Sequence, residues 1–373
     1  MIYLDHAATS FPKINEVQQA VLNCMNTCSN ANRSTFQSSL QASRLLYQTR
    51  QQVKKLFHVP LQGFVIFNSG NTESLNTCIK GILKKGDHVI TTYAEHNSVL
   101  RPLYQLQSDG LIQLSITEPK VDKIKKEIND TTKLIIVTHS SNVTGEFYPI
   151  KEIGQLAHEN QILMMCDVAQ SAGHIDVDMV NENIDILCFS GHKGLLGNAG
   201  IGGICLSHAI DIEPLLSGGS GMNSFDHFQS HYYPEKLEAG SCNITGIASL
   251  NAGISYFLKH REMIYERENK LIKLLEQELK KNDSVILYSD LYHNHAPIVA
   301  FNIKGMDSLK VGDLLSEKYQ IAVRCGAHCA PLMHQRLNTV KTGIIRVSPA
   351  FVNTEEQIKV FIQAIREISE DLK

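Results

Sequence analysis

Ile186-Leu187-Cys188-Phe189-Ser190-Gly191-His192-Lys193-Gly194 is the stretch on which the fold turns. A strand-length apolar run ends on a serine, and the lysine that follows is wedged between a histidine and small residues. Lysine ordinarily keeps its ammonium in water. Here the neighbours offer hydrogen-bond donors and close backbone approach at one spot. Desolvation in such a setting favours the neutral amine, the form that condenses with a carbonyl. Upstream, Ile162-Leu163-Met164-Met165-Cys166 closes in the same way on Asp167, with Gln170 just beyond. A carboxylate at the end of a buried strand is costly unless paired. A helix cap or a metal ligand would account for it, but no His/Asp/Glu cluster stands at ligand spacing. No metal is therefore expected, and an organic cation is the favoured partner.

Both runs belong to a longer alternation. From about residue 60 to 206, Phe64–Phe67, His88–Thr92, Leu134–Thr138, Ile162–Cys166, Ile186–Phe189 and Gly203–Leu206 read as strands. Between several of them lie segments of helical period, among them Thr72–Lys84, Asn97–Gln107 and Ile150–Asn160. Near-continuous apolar strands with intervening helices imply an α/β fold whose mostly parallel sheet is sandwiched by helices. Ligands collect at the carboxyl ends of such strands, where Asn68–Thr72, His139–Asn142, Asp167 and Ser190–Lys193 all fall. Residues 245–281 read as one long proline-free helix. Beyond it, Val285–Tyr288, Ile298–Ile303, Leu309–Lys318, Ile321–Arg324, Ile344–Val347 and Glu355–Asp371 make a smaller C-terminal α/β unit. With 373 residues the chain exceeds the usual reach of one core. The expected division is a large domain over 15–250 and a small domain built from 1–14 and 251–373. Residues 34–57 read as a helix whose stripe of Leu40, Leu45, Leu46, Val53, Leu56 and Phe57 is core.

Composition narrows the function. A net charge of −3 with 20% charged residues gives no electrostatic footprint for nucleic acid. No apolar run approaches the roughly 18 residues of a membrane span. Met1–His6 lacks the basic and apolar regions of a signal peptide, so a cytoplasmic location is the expectation. The nine cysteines are odd in number, contain no C-x-x-C pair and imply no disulfide framework. Cys166, Cys188 and Cys205 sit inside strand runs as small hydrophobes, which leaves Cys329 as the one in different surroundings.

Ser69-Gly70-Asn71-Thr72-Glu73 follows a strand and opens a helix, where backbone N–H groups and the Thr72 hydroxyl would cradle a phosphate. A plain helix cap explains the same residues. His96 follows another strand end, where an imidazole would stack on a flat ring or merely neighbour a cap. A lysine placed for Schiff-base chemistry and a carboxylate placed for a pyridinium nitrogen together point to pyridoxal 5'-phosphate.

In this company the chain resembles the cysteine desulfurase and selenocysteine lyase branch of the class V aminotransferase-like, fold-type I pyridoxal phosphate enzymes. The resemblance rests on Tyr3–Thr9, Ser69–Glu73, Glu95–Asn97, Ser141–Gly145, Asp167–Gly173, Ser190–Gly194, Glu238–Ser241, Arg324–Pro331 and Arg346–Ser348, in that order. It implies that Lys193 is the Schiff-base lysine and proton carrier, that His96 stacks on the ring, and that Asp167 pairs with its nitrogen. Gln170 would bond the ring hydroxyl, with Asn142 nearby. Thr72, Ser190 and His192 would hold the phosphate, joined by Ser241 from the second subunit of a homodimer, and Asn71 would also bind the cofactor. Arg346 would take the substrate carboxylate, and Cys329 would accept its sulfur as a persulfide. The compact His328-Cys329-Ala330-Pro331 loop is similar to the second desulfurase group, which often accepts selenocysteine and hands sulfur to an acceptor protein.

The implied reaction converts L-cysteine to L-alanine with sulfur passing to Cys329. Transamination or β-elimination on the same fold needs no such thiol, and a non-catalytic sulfur-relay or scaffold protein needs no Lys193, Asp167 and His96 together. Phe36, Asn198 and Cys242 depart from the residues relatives often carry, and Cys325 is a candidate helper of Cys329.

Overall fold

The computed structural model describes residues 1–32, 34–222, 224–289 and 295–370. The elements begin with β1 (Ile2–Tyr3), α1 (Asn15–Thr27), α2 (Gln37–Leu56), β2 (Phe64–Asn68), α3 (Asn71–Ile82), β3 (His88–Thr92), α4 (Asn97–Ser108) and β4 (Gln113–Thr117). Then come α5 (Val121–Glu127), β5 (Thr132–Thr138), α6 (Ile150–Glu159), β6 (Leu163–Asp167), β7 (Ile186–Ser190), β8 (Gly202–Leu206) and α7 (Ile244–Lys280). The chain closes with β9 (Val285–Leu287), β10 (Val299–Ile303), α8 (Ser308–Tyr319), β11 (Ile321–Ala322), β12 (Arg324–Gly326), α9 (Pro331–Arg336), β13 (Ile344–Val347) and α10 (Glu355–Glu370). The expected last helix residue, Asp371, lies outside the described residues.

Seven strands form one sheet in the order β2-β8-β7-β6-β5-β3-β4, parallel except for β8. Its central strands are buried along almost their whole length, as a sheet covered on both faces requires. Edge strand β4 is half exposed. Register sets the site: Thr138 pairs with Asp167, Asp167 with Cys188, and Ser190 with Gly202. The carboxyl ends of β5, β6 and β7 therefore stand side by side. Gly202 also faces Gly70 closely; a Cβ on it would come within 2.7 Å of the Gly70 Cα. That approach lets the turn before α3 lie against the same edge.

A second sheet, β12-β13-β10-β9, is antiparallel throughout. Leu4, Leu271, Leu275, Phe301, Val347 and Phe361 pack into its core. The N-terminus joins that unit, because β1 pairs in parallel with β11. The single strand read at Ile321–Arg324 is two, β11 and β12, which serve different sheets. Helix α7 is broken at His260, where φ is −119° and ψ 16°. Before and just after the break, Leu250, Phe257 and Ile264 pack with the large sheet's core; from Leu271 onward the helix packs with the second.

The stripe on α2 is a correction. Leu40 is 42% exposed, and the buried face runs Ser39, Ala42, Leu46, Thr49, Val53, Leu56. Small polar residues fill positions that apolarity alone would skip. Among the described residues no helix is long and apolar enough to cross a membrane, and no cluster of three or more His, Cys, Asp or Glu could hold a metal ion.

Candidate active site

A cleft of about 900 Å³, open to solvent, lies at the carboxyl ends of β5–β7 and the start of α3. Asn71, Thr72, His96, Asn142, Asp167, Gln170, Ser190, His192 and Lys193 all line it. Three expected site residues do not. Ser241 is exposed and lines an adjoining cavity that shares Ser69, Glu73 and Gly200 with the cleft. Arg346 and Cys329 belong to the second sheet's side and reach the cleft's edge through Asn142 and α4.

Asp167 ends β6 and is almost fully buried. The Asn71 amide (2.8 Å) and the Ala169 N–H (2.9 Å) both donate to its Oδ1, which leaves Oδ2 for a further partner. Burial raises its pKa, opposed by the Ala169 N–H, by Lys193 and by Asn71. Gln170 is held by donating from Nε2 to the Ala7 carbonyl (3.0 Å). Lys193 is pulled down to about 8 by burial, with Arg346 and Arg324 adding to the fall and Asp167 resisting it. This is the amine activation expected from its sequence setting.

His96 caps α4: its Nδ1 accepts from the Ser98 N–H (3.0 Å). With Nδ1 an acceptor, the neutral ring's proton sits on Nε2. Burial, aided by Lys193 and Arg324, holds this histidine down to about 4, so it is uncharged at neutral pH. Ser98 Oγ also lies 2.8 Å from Thr72 Oγ1, joining the first turns of α3 and α4 through two hydroxyls. His192 is likewise held down to about 4, chiefly by burial, and its buried Nδ1 has no partner among the described residues.

Arg346 on β13 is 1% exposed. Its Nη2 donates to Asp5 Oδ1 (2.7 Å), its Nη1 to the Asn142 carbonyl (2.9 Å), and its buried Nε has no partner among the described residues. Asn142 in turn donates from Nδ2 to the His328 carbonyl (2.7 Å). The Asn97 N–H donates to the Cys329 carbonyl (2.7 Å), one residue past His96. Cys329 is exposed, with Arg324 Nη2 3.8 Å from its Sγ. Cys325 is a different thiol: burial pushes it up to about 12, and it packs where a Cβ on Gly312 would meet it at 2.7 Å. Its proton is held more tightly than that of an ordinary thiol.

The residues sequence analysis left without roles are mostly in the N-terminal arm. Asp5 pins Arg346, the Ala7 carbonyl holds Gln170, and Thr9, Ser10 and Lys13 grip the His192 carbonyl. Tyr3–Thr9 carried a resemblance but no periodicity, so only contacts disclose what it does. Removing one partner of a buried ion pair typically costs about 3–5 kcal/mol. Asp5 is itself 18% exposed at its side chain, so Asp5→Ala is expected to lower stability by about 3 kcal/mol. Urea unfolding checks this; an unchanged midpoint would show that Arg346 does not depend on Asp5.

Comparisons with known proteins report on the family and the fold. The family described as aminotransferase class-V matches residues 2–361. A probable cysteine desulfurase of Methanothermobacter thermautotrophicus is 31% identical over 99% of this chain and 94% of its own length. Among solved structures, an apo cysteine desulfurase from Thermococcus onnurineus NA1 superposes with a TM-score of 0.91 at 29% identity, covering 99% of this chain and 95% of that one. The cysteine desulfurase CsdA of Escherichia coli, solved with an S-sulfonic acid, gives 0.86 at 27% identity over 99% and 94%. Both are α/β folds of the kind described above. By the span of the family match, the chain belongs to the aminotransferase class-V family.

Proposed function

We infer that this chain is a cysteine desulfurase that binds pyridoxal 5'-phosphate in the cleft, releases L-alanine from L-cysteine and takes the sulfur on Cys329. The observation that carries this is the pairing of a desolvated lysine and a buried carboxylate in one cleft, with an exposed cysteine tied to the cleft's edge.

The residues present fit the cofactor. Oδ2 of buried Asp167 suits a cationic ring nitrogen, and neutral His96 offers an uncharged ring face. The start of α3, with the Thr72, Ser98 and Ser190 hydroxyls, suits a phosphate. Buried His192 Nδ1 and Asn71 Oδ1, without partners among the described residues, fit a ligand with hydrogen-bonding groups of its own. Bound there, pyridoxal phosphate supplies an electron sink for the substrate Cα.

The chain's own groups do the rest. Lys193 Nζ takes and returns the substrate's Cα proton, a role that needs the neutral amine its burial favours. Arg346, oriented by Asp5 and the Asn142 carbonyl, holds the substrate carboxylate. Cys329 Sγ, as a thiolate, attacks the substrate sulfur. An S–S bond forms as the C–S bond breaks, the electron pair of that bond goes to Cβ, and a proton completes alanine. The persulfide then passes to an acceptor protein. Ser241 acts from the second subunit of a homodimer, which its exposure beside the adjoining cavity supports. Residues 15–250 form the cofactor-binding unit in this reading; 1–14 with 251–373 bring Arg346 and Cys329.

A lysine pKa of about 8 sets a pH dependence. The amine must be neutral to capture the cofactor, so loading of the cofactor-free chain is expected to speed up as pH rises, with its midpoint near 8. A midpoint near the ordinary lysine value would contradict the site. Loaded protein is expected to release alanine from L-cysteine, and selenocysteine as a parallel substrate reports the preference. Loading without alanine release would reject the desulfurase reading.

A further inference from the structure

The backbone on both sides of Lys193 converges on a single ammonium. Lys13 Nζ donates to the His192 carbonyl (3.3 Å), to the Gly197 carbonyl and to Ser10 Oγ (2.7 Å). The loop it touches is short and tightly wound. The Gly197 N–H donates to Gly191 O (2.8 Å) and the Leu196 N–H to Lys193 O (2.9 Å), with Leu196 at a left-handed φ of 64°. Such a conformation is uncommon for a branched side chain and holds only when its surroundings impose it.

The two carbonyls differ in how much they depend on Lys13. His192 O is also within reach of the Ser10 N–H (3.0 Å) and the Thr9 and Ser10 hydroxyls (each 3.1 Å). Gly197 is buried, and among the described residues its carbonyl takes a donor from Lys13 alone. A buried carbonyl without a donor is costly. Burial pulls Lys13 down to about 8, so at neutral pH it is mostly an ammonium and its hydrogen bonds are charge-assisted. The titratable side chains that feel its charge, His6 and His192, are both held down to about 4 and remain uncharged there.

We propose that Lys13 is a positioning residue for Lys193: its ammonium ties the carbonyls of His192 and Gly197 together, bracing the loop that carries the amine. It is not among the residues that line the cleft. Its work is to keep the lysine's backbone from drifting, and small displacements of a reacting group are costly in rate. The consequence for turnover rests on the desulfurase reading; the consequence for the loop does not.

The test compares Lys13→Met, which keeps the aliphatic stem, with Lys13→Arg, which keeps a cation able to reach two carbonyls. In the cofactor-free chain, Lys13→Met is expected to speed amide hydrogen exchange at Leu196 and Gly197 about tenfold, with the rest of the chain unchanged. In the loaded protein the same variant is expected to lower kcat for L-cysteine about tenfold while KM stays within about twofold. Lys13→Arg is expected to restore both. Wild-type exchange at Leu196 and Gly197 in Lys13→Met would overturn the proposal. So would faster exchange spread over the whole chain, or failure of arginine to rescue either effect. Local loosening in a protein that forms no alanine from cysteine would uphold the brace and reject the desulfurase reading instead.

Discussion

Lys193→Ala is expected to abolish turnover, lowering alanine formation by about a thousandfold or more, the scale on which removal of a positioned acid–base group acts. The residue has two tasks that no neighbour duplicates. In the proposed reading it is the amine just past β7 that captures the cofactor, and it moves the substrate's proton. His96 and His192 stand in the same cleft, but burial holds both near 4, and His96 already uses Nδ1 to cap α4. Asp167 spends Oδ1 on Asn71 and Ala169, and its Oδ2 is the atom proposed to face the ring nitrogen. Lys193→Arg is expected to fail as completely, because a guanidinium is never neutral in water. The variants should keep the fold, since the loop's own hydrogen bonds run through backbone atoms. Alanine release checks the outcome, and wild-type release from either variant would sink the assignment.

Cys329→Ala is expected to keep cofactor binding and lose alanine formation from cysteine by about a hundredfold, or about 3 kcal/mol of barrier. The reason lies in how the thiol is presented. His328 and Cys329 are consecutive left-handed residues, with φ of 50° and 57°. Each such non-glycine residue costs about 1–3 kcal/mol and persists only where its surroundings over-determine it. Here the Asn142 amide binds the His328 carbonyl, the Asn97 N–H binds the Cys329 carbonyl, and the His328 ring is buried against that of His334. The loop is thus strapped to the cleft's rim while Cys329 stays exposed. Selenocysteine turnover is expected to survive the substitution better, because selenium leaves carbon more easily than sulfur does. Equal cysteine turnover by Cys329→Ala and wild type would remove the persulfide from the mechanism.

Much of this arrangement was readable in the chain. Apolar runs bounded by polar residues gave the strands of the large sheet within a residue or so, because strands buried on both faces leave little sequence ambiguity. Asp167 and Ser190 were conspicuous as polar residues terminating such runs, and nine of the expected site residues line one cleft. The losses have physical causes. Edge strand β4 is half exposed and carries no clear apolar pattern. Helix α1 buries only Val17 and Cys24, so its period is faint. Strands β11 and β12 are separated by one residue and belong to different sheets, a distinction that only long-range pairing creates. The same holds for Asp5, Ala7 and Lys13. Their function lies in contacts with residues more than 160 positions away, which no local window registers.

The central claim is that sulfur moves from substrate to Cys329. One equivalent of L-cysteine added to the cofactor-loaded protein without reductant, followed by mass analysis of the peptide carrying Cys329, tests it most directly. The account predicts a gain of one sulfur atom on that peptide and one alanine released per sulfur gained, with no gain in Cys329→Ala. Alanine formed with no added sulfur on Cys329, or sulfur found on another cysteine, would contradict it.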